Sequence, residues 1–388
     1  MFLNKFWVSC AVAFLVWPAS AAAVDESPFS FEALYTGEVW SNARGGIQKG
    51  TRYLHNVDLT LEADLSFVGL EDTTLFLYGL HTNGPEFSPD LVGDAQVVSN
   101  IDNGEVFRLY EGWIEKLFAD KKLSLKAGLI DLNADFDVNE TGSLFINSSH
   151  GIGVEFAQTG DNGPSIFPST SLAVRAQYAP NDNWSLRFGA FDETPNDPNN
   201  PKQQQIDWRK GTLFVGEASY VADNGLRVNA GGWGYTSEFQ PILSTDKVGN
   251  NIGAYGLIEG PLYREKSEEG QGLSGFVSVG FANERINQFT HYMGGGVVYT
   301  GPFKSRDDDQ VGFAIAAAGN GDNFKRSVRM GGGNPEDYET NLELTYRAQL
   351  TDWLAIQPDI QYVIDPGAVG GLRNALALGV RVEIGAAF

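Results

Sequence analysis

An all-β fold, a 16-stranded antiparallel transmembrane β-barrel, follows from three features of this 388-residue sequence. The last residues alternate without a slip: Leu376, Leu378, Val380, Val382, Ile384, Ala386 and Phe388 share one face, and Ala377, Gly379, Arg381, Glu383 and Gly385 the other. The chain carries 46 Gly and 12% aromatic residues, and no stretch after Val24 approaches the roughly 18 apolar residues of a membrane helix. Its alternating segments are joined by connections that are by turns short and long. A strand with one oily and one wet face lies between lipid and water. Inside hydrocarbon each backbone N–H and C=O must be paired, which a closed barrel achieves and an open sheet does not.

The elements run in order from the amino end. Residues 1–23 combine Lys5, an apolar run from Phe6 to Trp17, Pro18, and small residues ending Ala21-Ala22-Ala23, the pattern of a cleaved secretory signal. The single cysteine, Cys10, falls within it without a lipobox-like context, so the mature chain has no thiol, disulfide or Cys-based metal site. Without that segment, which holds one Lys and no acid, 26 Lys+Arg face 49 Asp+Glu, a formal charge of -23 that repels nucleic acid. Residues 24–388 form a single barrel domain.

Alternating segments fall at 31–40, 53–67, 73–81, 106–118, 122–130, 171–179, 183–191, 211–221, 226–236, 252–260, 272–281, 292–300, 310–318, 340–350, 354–364 and 374–388. With a periplasmic carboxyl end, the inner turns lie at 69–72, 119–121, 179–182, 222–225, 261–271, 301–309 and 350–353, and most are short. The outer connections, 41–52, 82–105, 131–170, 192–210, 237–251, 282–291, 319–339 and 365–373, are mostly long and rich in Gly, Asn, Asp and Pro, the outer-membrane pattern. Segment 152–158 alternates too, but a lone extra spanning strand breaks antiparallel parity, so it belongs to the 131–170 loop. That loop is long enough to enter the lumen and is the expected constriction element.

Parity also lists the wet face. Strand 53–67 puts Tyr53, Val57, Leu59, Leu61, Leu65 and Phe67 toward lipid and Arg52, Asn56, Asp58, Glu62 and Asp64 toward water. Arg175, Gln177 and Arg187 follow inward, with Leu172, Val174, Ala176, Tyr178, Trp184, Leu186 and Phe188 outward. Glu217, Arg227, Asn229, Glu343, Arg347, Gln357, Asp359 and Gln361 line later strands. In 106–118, placing Tyr110, Ile114 and Phe118 on lipid turns Glu111, Trp113 and Glu115 inward and leaves Arg108 on the wrong side unless a bulge re-aims it. Sixteen strands enclose more space than side chains fill, so the lumen is expected to hold water; a salt-bridged plug is the alternative.

These residues resemble the OprB-type carbohydrate-selective porins of Gram-negative outer membranes. The likeness is carried by Gly45-Gly46 and Gly50, by residues 92–101, by Arg108-Leu109-Tyr110-Glu111-Gly112-Trp113, and by Ala127-Gly128 with Asp131 and Asp135-Phe136. It continues through Phe145-Ile146-Asn147-Ser148-Ser149, Gly294-Gly295-Gly296, and a closing stretch from Glu339-Thr340 through Trp353, residues 357–362, Pro366-Gly367 and Asn374-Ala375-Leu376. It implies a sixteen-strand porin in the bacterial outer membrane that passes monosaccharides or other small carbohydrates.

Sugars present vicinal hydroxyl pairs and apolar C–H faces, which call for forked donors, carboxylate acceptors and a ring. The expected substrate-binding residues are Arg52, Arg108, Arg175 and Arg187 as donors, Asp58, Glu62 and Glu111 as acceptors, and Trp113 as stacking surface, with Arg44 and Lys49 at the outer mouth. The expected partners are small sugars, outer-membrane lipid and lipopolysaccharide, and the barrel-assembly machinery through the strand ending at Phe388. A monomer and a homotrimer fit equally.

Other chemistry is thinner. His55, His81, His150 and His291 are scattered without ligand spacing. Asp131, Asn133 and Asp135 have the spacing of a calcium loop, one that would bind loosely, but Phe136 stands where an EF-hand needs Gly. Ser148-Ser149-His150 is where a barrel hydrolase would place its nucleophile, although adjacency alone does not supply the geometry. A general small-solute pore and a closed structural barrel are the remaining alternatives to a sugar channel.

Overall fold

Alternation of oily and wet residues closes into a complete cylinder. The computed structural model describes residues 27–197, 200–204, 206–208, 210–265 and 270–388. The expected signal at 1–23 and part of the 261–271 connection lie outside the described residues. Sixteen antiparallel strands form the closed barrel. They are β1 (Phe29–Gly46), β2 (Gly50–Asp64), β3 (Thr73–Asn83), β4 (Val106–Phe118), β5 (Leu123–Ile130), β6 (Ser171–Asn181), β7 (Trp184–Asp192), β8 (Thr212–Val221), β9 (Arg227–Tyr235), β10 (Ile252–Arg264), β11 (Gly272–Ala282), β12 (Phe289–Thr300), β13 (Gln310–Asn320), β14 (Tyr338–Thr351), β15 (Leu354–Ile364) and β16 (Arg373–Ala387). Each expected segment has its strand. Among the described residues no helix is long and apolar enough to cross a membrane.

Closure is made by β16 on β1, in register from Glu32 opposite Ala387 to Gly46 opposite Arg373. Phe31 and Phe388 extend that seam with reciprocal backbone hydrogen bonds of 3.2 and 2.8 Å. No barrel edge is left to hydrocarbon. On β16 Leu378, Val380 and Ile384 are 40 to 43% exposed while Ala375, Ala377 and Arg381 are buried, so the oily set faces lipid as the alternation requires. Phe29 packs on Phe67 at 5.2 Å and Phe31 on Phe388 at 6.0 Å, a ring of aromatics at the turn end.

Three departures from the sequence expectation bear on the site. The outer connection expected over 41–52 shrinks to residues 47–49, because both strands run on. Gly45 and Gly46 adopt φ of 71° and 61°, and a Cβ on Gly45 would meet Asn374 O at 2.0 Å, so only glycine makes this turn. Second, β2 stops at Asp64, whose carboxylate accepts from Ser66 N and caps a 3₁₀ turn, Leu65–Val68; Leu65 and Phe67 sit in that turn rather than on a strand, and Asp64 is no lumen residue. Third, the β3–β4 register shifts between Tyr78 and Gly79, leaving Tyr110 as the extra residue of a bulge. The bulge turns Arg108, Tyr110, Glu111 and Trp113 all inward, whereas unbroken alternation places Tyr110 on lipid. Segment 152–158 holds a single helical turn, Val154–Ala157, and spans nothing.

Candidate functional site

The lumen is built by one loop fastened to the wall. Leaving β5, residues 131–170 have no strand to pair with, so their buried amides need other acceptors. Wall carboxylates supply them. Asp131 N donates to Glu111 at 3.1 Å, Asp137 N to Glu217 at 2.9 Å, Glu140 N and Thr141 N to Glu259 at 3.2 and 2.6 Å, and Ile146 N and Asn147 N to Glu343 at 2.6 and 3.1 Å. Gln357 adds a 2.8 Å bond to Leu144 O. Over seventeen residues from Asp131 to Asn147 the chain therefore passes from β4 along β8 and β10 to β14 and β15. It returns past Tyr292, whose hydroxyl donates to Ser149 O at 2.6 Å, and Phe156 then stacks on Trp233 at 4.9 Å with planes 5° apart. Ser165 closes the circuit on Ile130 O at 2.7 Å. The loop is a belt inside the barrel.

Small wall residues let the belt lie flat. A Cβ on Gly280 would sit 1.6 Å from Glu155 Oε1, and one on Gly189 3.0 Å from the Phe136 ring. A second in-folded segment, 82–105, lies beside the belt. Ala95 N and Gln96 N each donate to Glu339 at 2.8 Å, Gln361 donates to Val98 O at 2.8 Å, and Ser148 N reaches Val97 O at 3.1 Å. Phe87, Leu91 and Val98 bury their side chains against Trp40 and Leu54 of the wall.

Six of the eight residues expected to bind sugar stand in one network on β2 to β7. Asp58 accepts from Asn56 at 2.8 Å and from the Tyr78 hydroxyl at 2.5 Å, and Tyr78 meets Tyr110 edge-on at 5.0 Å. Tyr110 donates to Asp131 at 2.6 Å; Glu111 accepts from Trp113 Nε1 at 3.1 Å as well as from the belt. Trp113 is buried, stacked on Phe76 at 4.9 Å with the Lys126 ammonium 4.4 Å from its centroid, so its ring packs against protein rather than open lumen. Arg175 donates to Ser124 at 2.5 Å and Glu115 at 2.9 Å and lies 3.2 Å from Asp135. Arg187 donates to Gln177 at 3.0 Å and Glu217 at 2.9 Å, and Arg108 bonds Ser169. Arg52 stands apart at the outer rim, 3.5 Å from Asp90, and Glu62 near the turn end opposite Ser30 and Phe76. Of these, Arg52, Glu62 and Arg187 keep some solvent exposure.

Lys126, Glu259 and Glu339 belong to this arrangement and are not singled out by the sequence pattern. Parity is the available signal for Lys126 and Glu259, which alternate with Leu125 and Ile258 on lipid. Burial alone would raise the Asp135 carboxyl, but the Lys126 ammonium and Arg175 guanidinium override it and hold it at about 2. Asp137 is pushed up by burial and by Glu155 and Glu217, and Glu155 rises to about 8 through burial. Burial also holds His150 down, at about 3. At the expected calcium positions the oxygens are engaged separately: Asp131 by Tyr110 and by Asn133 N, Asp135 by Lys126, while the Asn133 amide donates to Phe136 O. Among the described residues no three His, Cys, Asp or Glu side chains gather for a metal ion.

A closed barrel of sixteen strands, apolar outside, charged within and threaded by its own outer loops, defines an outer-membrane porin. Residues 48–385 match the carbohydrate-selective porin family OprB, and the chain belongs to that family. It is 25% identical to Porin B of Pseudomonas aeruginosa over 95% of this chain and 89% of that one. It is 23% identical to the putative porin QuiX of Acinetobacter baylyi, over 95% and 91%. The fold superposes on the high-pH structure of Pseudomonas putida OprB with a TM-score of 0.84, at 23% identity and over 92% and 94% of the two chains. The protein is thus a carbohydrate-selective channel of the Gram-negative outer membrane.

Proposed function

We propose that residues 131–170 are the constriction and that the solutes it admits are small neutral sugars, glucose-like monosaccharides first. The observation that carries this reading is the belt itself: paired carboxylate anchors at Glu259 and Glu343 hold it across the wall. Charge supports the preference for neutral solutes. Arg175 is paired with Glu115, Arg187 with Glu217, Arg227 with Glu259, Arg347 with Glu383 and Arg381 with Glu38. Such a wall offers donors and acceptors without uncompensated charge on these guanidinium groups. Arg52, Glu62 and Arg187 are the solute-facing members, and Asp58, Arg108, Glu111, Trp113 and Arg175 hold the wall that presents them.

Passage requires attraction without trapping. A few net hydrogen bonds of roughly 0.5 to 1.5 kcal/mol each match the roughly 4 kcal/mol of a millimolar site. In planar bilayers, Arg187→Ala is expected to weaken glucose block of single-channel current by about tenfold. Unchanged block removes Arg187 from the sugar path.

The channel works without catalysis in this reading. Among the described residues neither ring nitrogen of His150 has a hydrogen-bond partner, so Ser148 and Ser149 lack the contact by which a base activates a hydroxyl. Lipid or peptide hydrolysis that His150→Ala abolishes would contradict this. Delivery to the assembly machinery is assigned to the carboxyl-terminal strand, whose last residue, Phe388, is 80% exposed.

A further inference from the structure

The outer rim of the closing seam is basic in an otherwise acidic protein. Between Glu38 and Asp58 the sequence carries Arg44, Lys49, Arg52 and His55 and no acid, although the whole chain has a formal charge of -22. Across the seam Arg373 stands opposite Gly46. Arg44, Lys49 and Arg373 are exposed, and among the described residues none of their side chains has an ion-pair or hydrogen-bond partner. Arg52 has one carboxylate, Asp90, at 3.5 Å.

Their platform is rigid. The Asn42 amide donates to Gly45 O, Gln48 O and Leu91 O, each at 2.9 Å, and Ile47 N donates to Leu91 O at 2.9 Å. Register shifts on both sides of Arg44 set it opposite Leu376, which alternates with Leu378 and Val380 on the lipid face. Cross-strand partners point to the same side of a sheet, so Arg44 projects toward lipid.

Height decides what meets these cations. Below them Tyr35 and Tyr53 share a hydroxyl–hydroxyl bond, and His55 lies 5.9 and 5.7 Å from their rings and 5.7 Å from His81, an aromatic belt on the outer surface. From His55 the lipid-facing residues Val57, Leu59 and Leu61 lead to Ala63, level with the Phe29–Phe67 pair. Eight residues at about 3.3 Å rise, tilted by about 40°, cover roughly 20 Å, close to the apolar band of an outer-membrane barrel. The cations stand one step above, at the headgroups of the outer leaflet. An open pocket of about 410 Å³ lined by Thr51, Arg52, Tyr53, His55, Asn83 and Pro85 lies there.

We propose that this rim docks a phosphorylated glycolipid of the outer leaflet: the Arg44 and Lys49 cations take its phosphate, the pocket beside Tyr53 takes its sugar, and its acyl chains run down the apolar face. Guanidinium forks match phosphate oxygens, and a cation near a lipid surface strengthens binding about fivefold. The inference rests on the outer-membrane reading, not on sugar selectivity.

The test uses the full mature protein in neutral phosphatidylcholine nanodiscs, with lipid A, dephosphorylated lipid A and inorganic phosphate as probes and native mass spectrometry as readout. Lipid A is expected to bind at least tenfold tighter than its dephosphorylated form, with inorganic phosphate failing to displace it. Arg44→Gln with Lys49→Gln is expected to weaken lipid A by about 25-fold. Heat-modifiable mobility on gels confirms that each variant is folded. Equal binding of both lipids, displacement by inorganic phosphate, or indifference to both substitutions overturns the proposal. Sugar-driven swelling of liposomes made from the same preparations is read separately: its presence alongside lost lipid selectivity sinks this inference alone, and its absence alongside retained selectivity sinks the sugar reading alone.

Discussion

Replacing Glu259 by glutamine isolates one anchor of the belt. The carboxylate is 3% exposed and accepts from Glu140 N at 3.2 Å and Thr141 N at 2.6 Å. It is also paired with Arg227, which donates to Val138 O at 2.8 Å and to the Glu140 carboxylate at 2.6 Å. Glutamine keeps the shape, loses the charge, and must aim an N–H at a donor. A hydrogen bond to a charged group contributes about 1.5 to 3 kcal/mol, and breaking a buried pair costs about 3 to 5 kcal/mol. Taking about 3 kcal/mol, the segment should open roughly 150-fold more often. Hydrogen exchange in detergent micelles, read on peptides covering 138–145, is the assay, and exchange there should accelerate about a hundredfold while strand peptides keep their protection. An acceleration below threefold would refute the claim that wall carboxylates hold this loop in the lumen.

The remaining predictions concern acid chemistry of the same belt. Glu155 is raised to about 8 by burial, so docking is favoured while it is protonated; stability is full below the ordinary carboxylate range and declines as pH rises from about 4.5 toward 8, by on the order of 4 kcal/mol. Glu155→Gln should flatten the thermal midpoint across that interval, and an unchanged slope contradicts the assignment. Asp135 has the opposite sign: held at about 2, it stabilises above the ordinary value near 3.8, and its contribution of about 2 kcal/mol is lost as pH falls through 2. Asp135→Asn leaves Lys126 and Arg175 buried beside a neutral group and should cost about 3 kcal/mol, seen as a lower melting temperature at pH 7. A melting temperature within a degree of the parent would show that these cations find other partners.

How far the sequence reaches depends on whether a feature is local. Lipid-facing alternation is imposed residue by residue, so all sixteen strands and the inward sense of Glu217, Glu343 and Gln361 are readable from it. Alternation fails where strands bulge. The slips around Arg44 hide a continuous β1–β2 hairpin behind an expected loop, and the one at Tyr110 turns an expected lipid residue into a lumen residue. The belt is foreseeable only as a long loop. Its path rests on backbone amides meeting carboxylates far away in sequence, such as Ile146 with Glu343, and such pairs leave no periodic trace. Trp113 shows the same limit: parity places it inward, but nothing local announces that Phe76 and Lys126 cover it.

Liposome swelling over a graded series of neutral sugars and one sugar acid tests most directly whether a wall-anchored belt narrows a water path for small carbohydrates. The account predicts rapid swelling with monosaccharides, a fall with disaccharides steeper than size alone gives, and slower entry of gluconate than of glucose. Swelling that follows molecular size alone, or no swelling with any sugar, would contradict it.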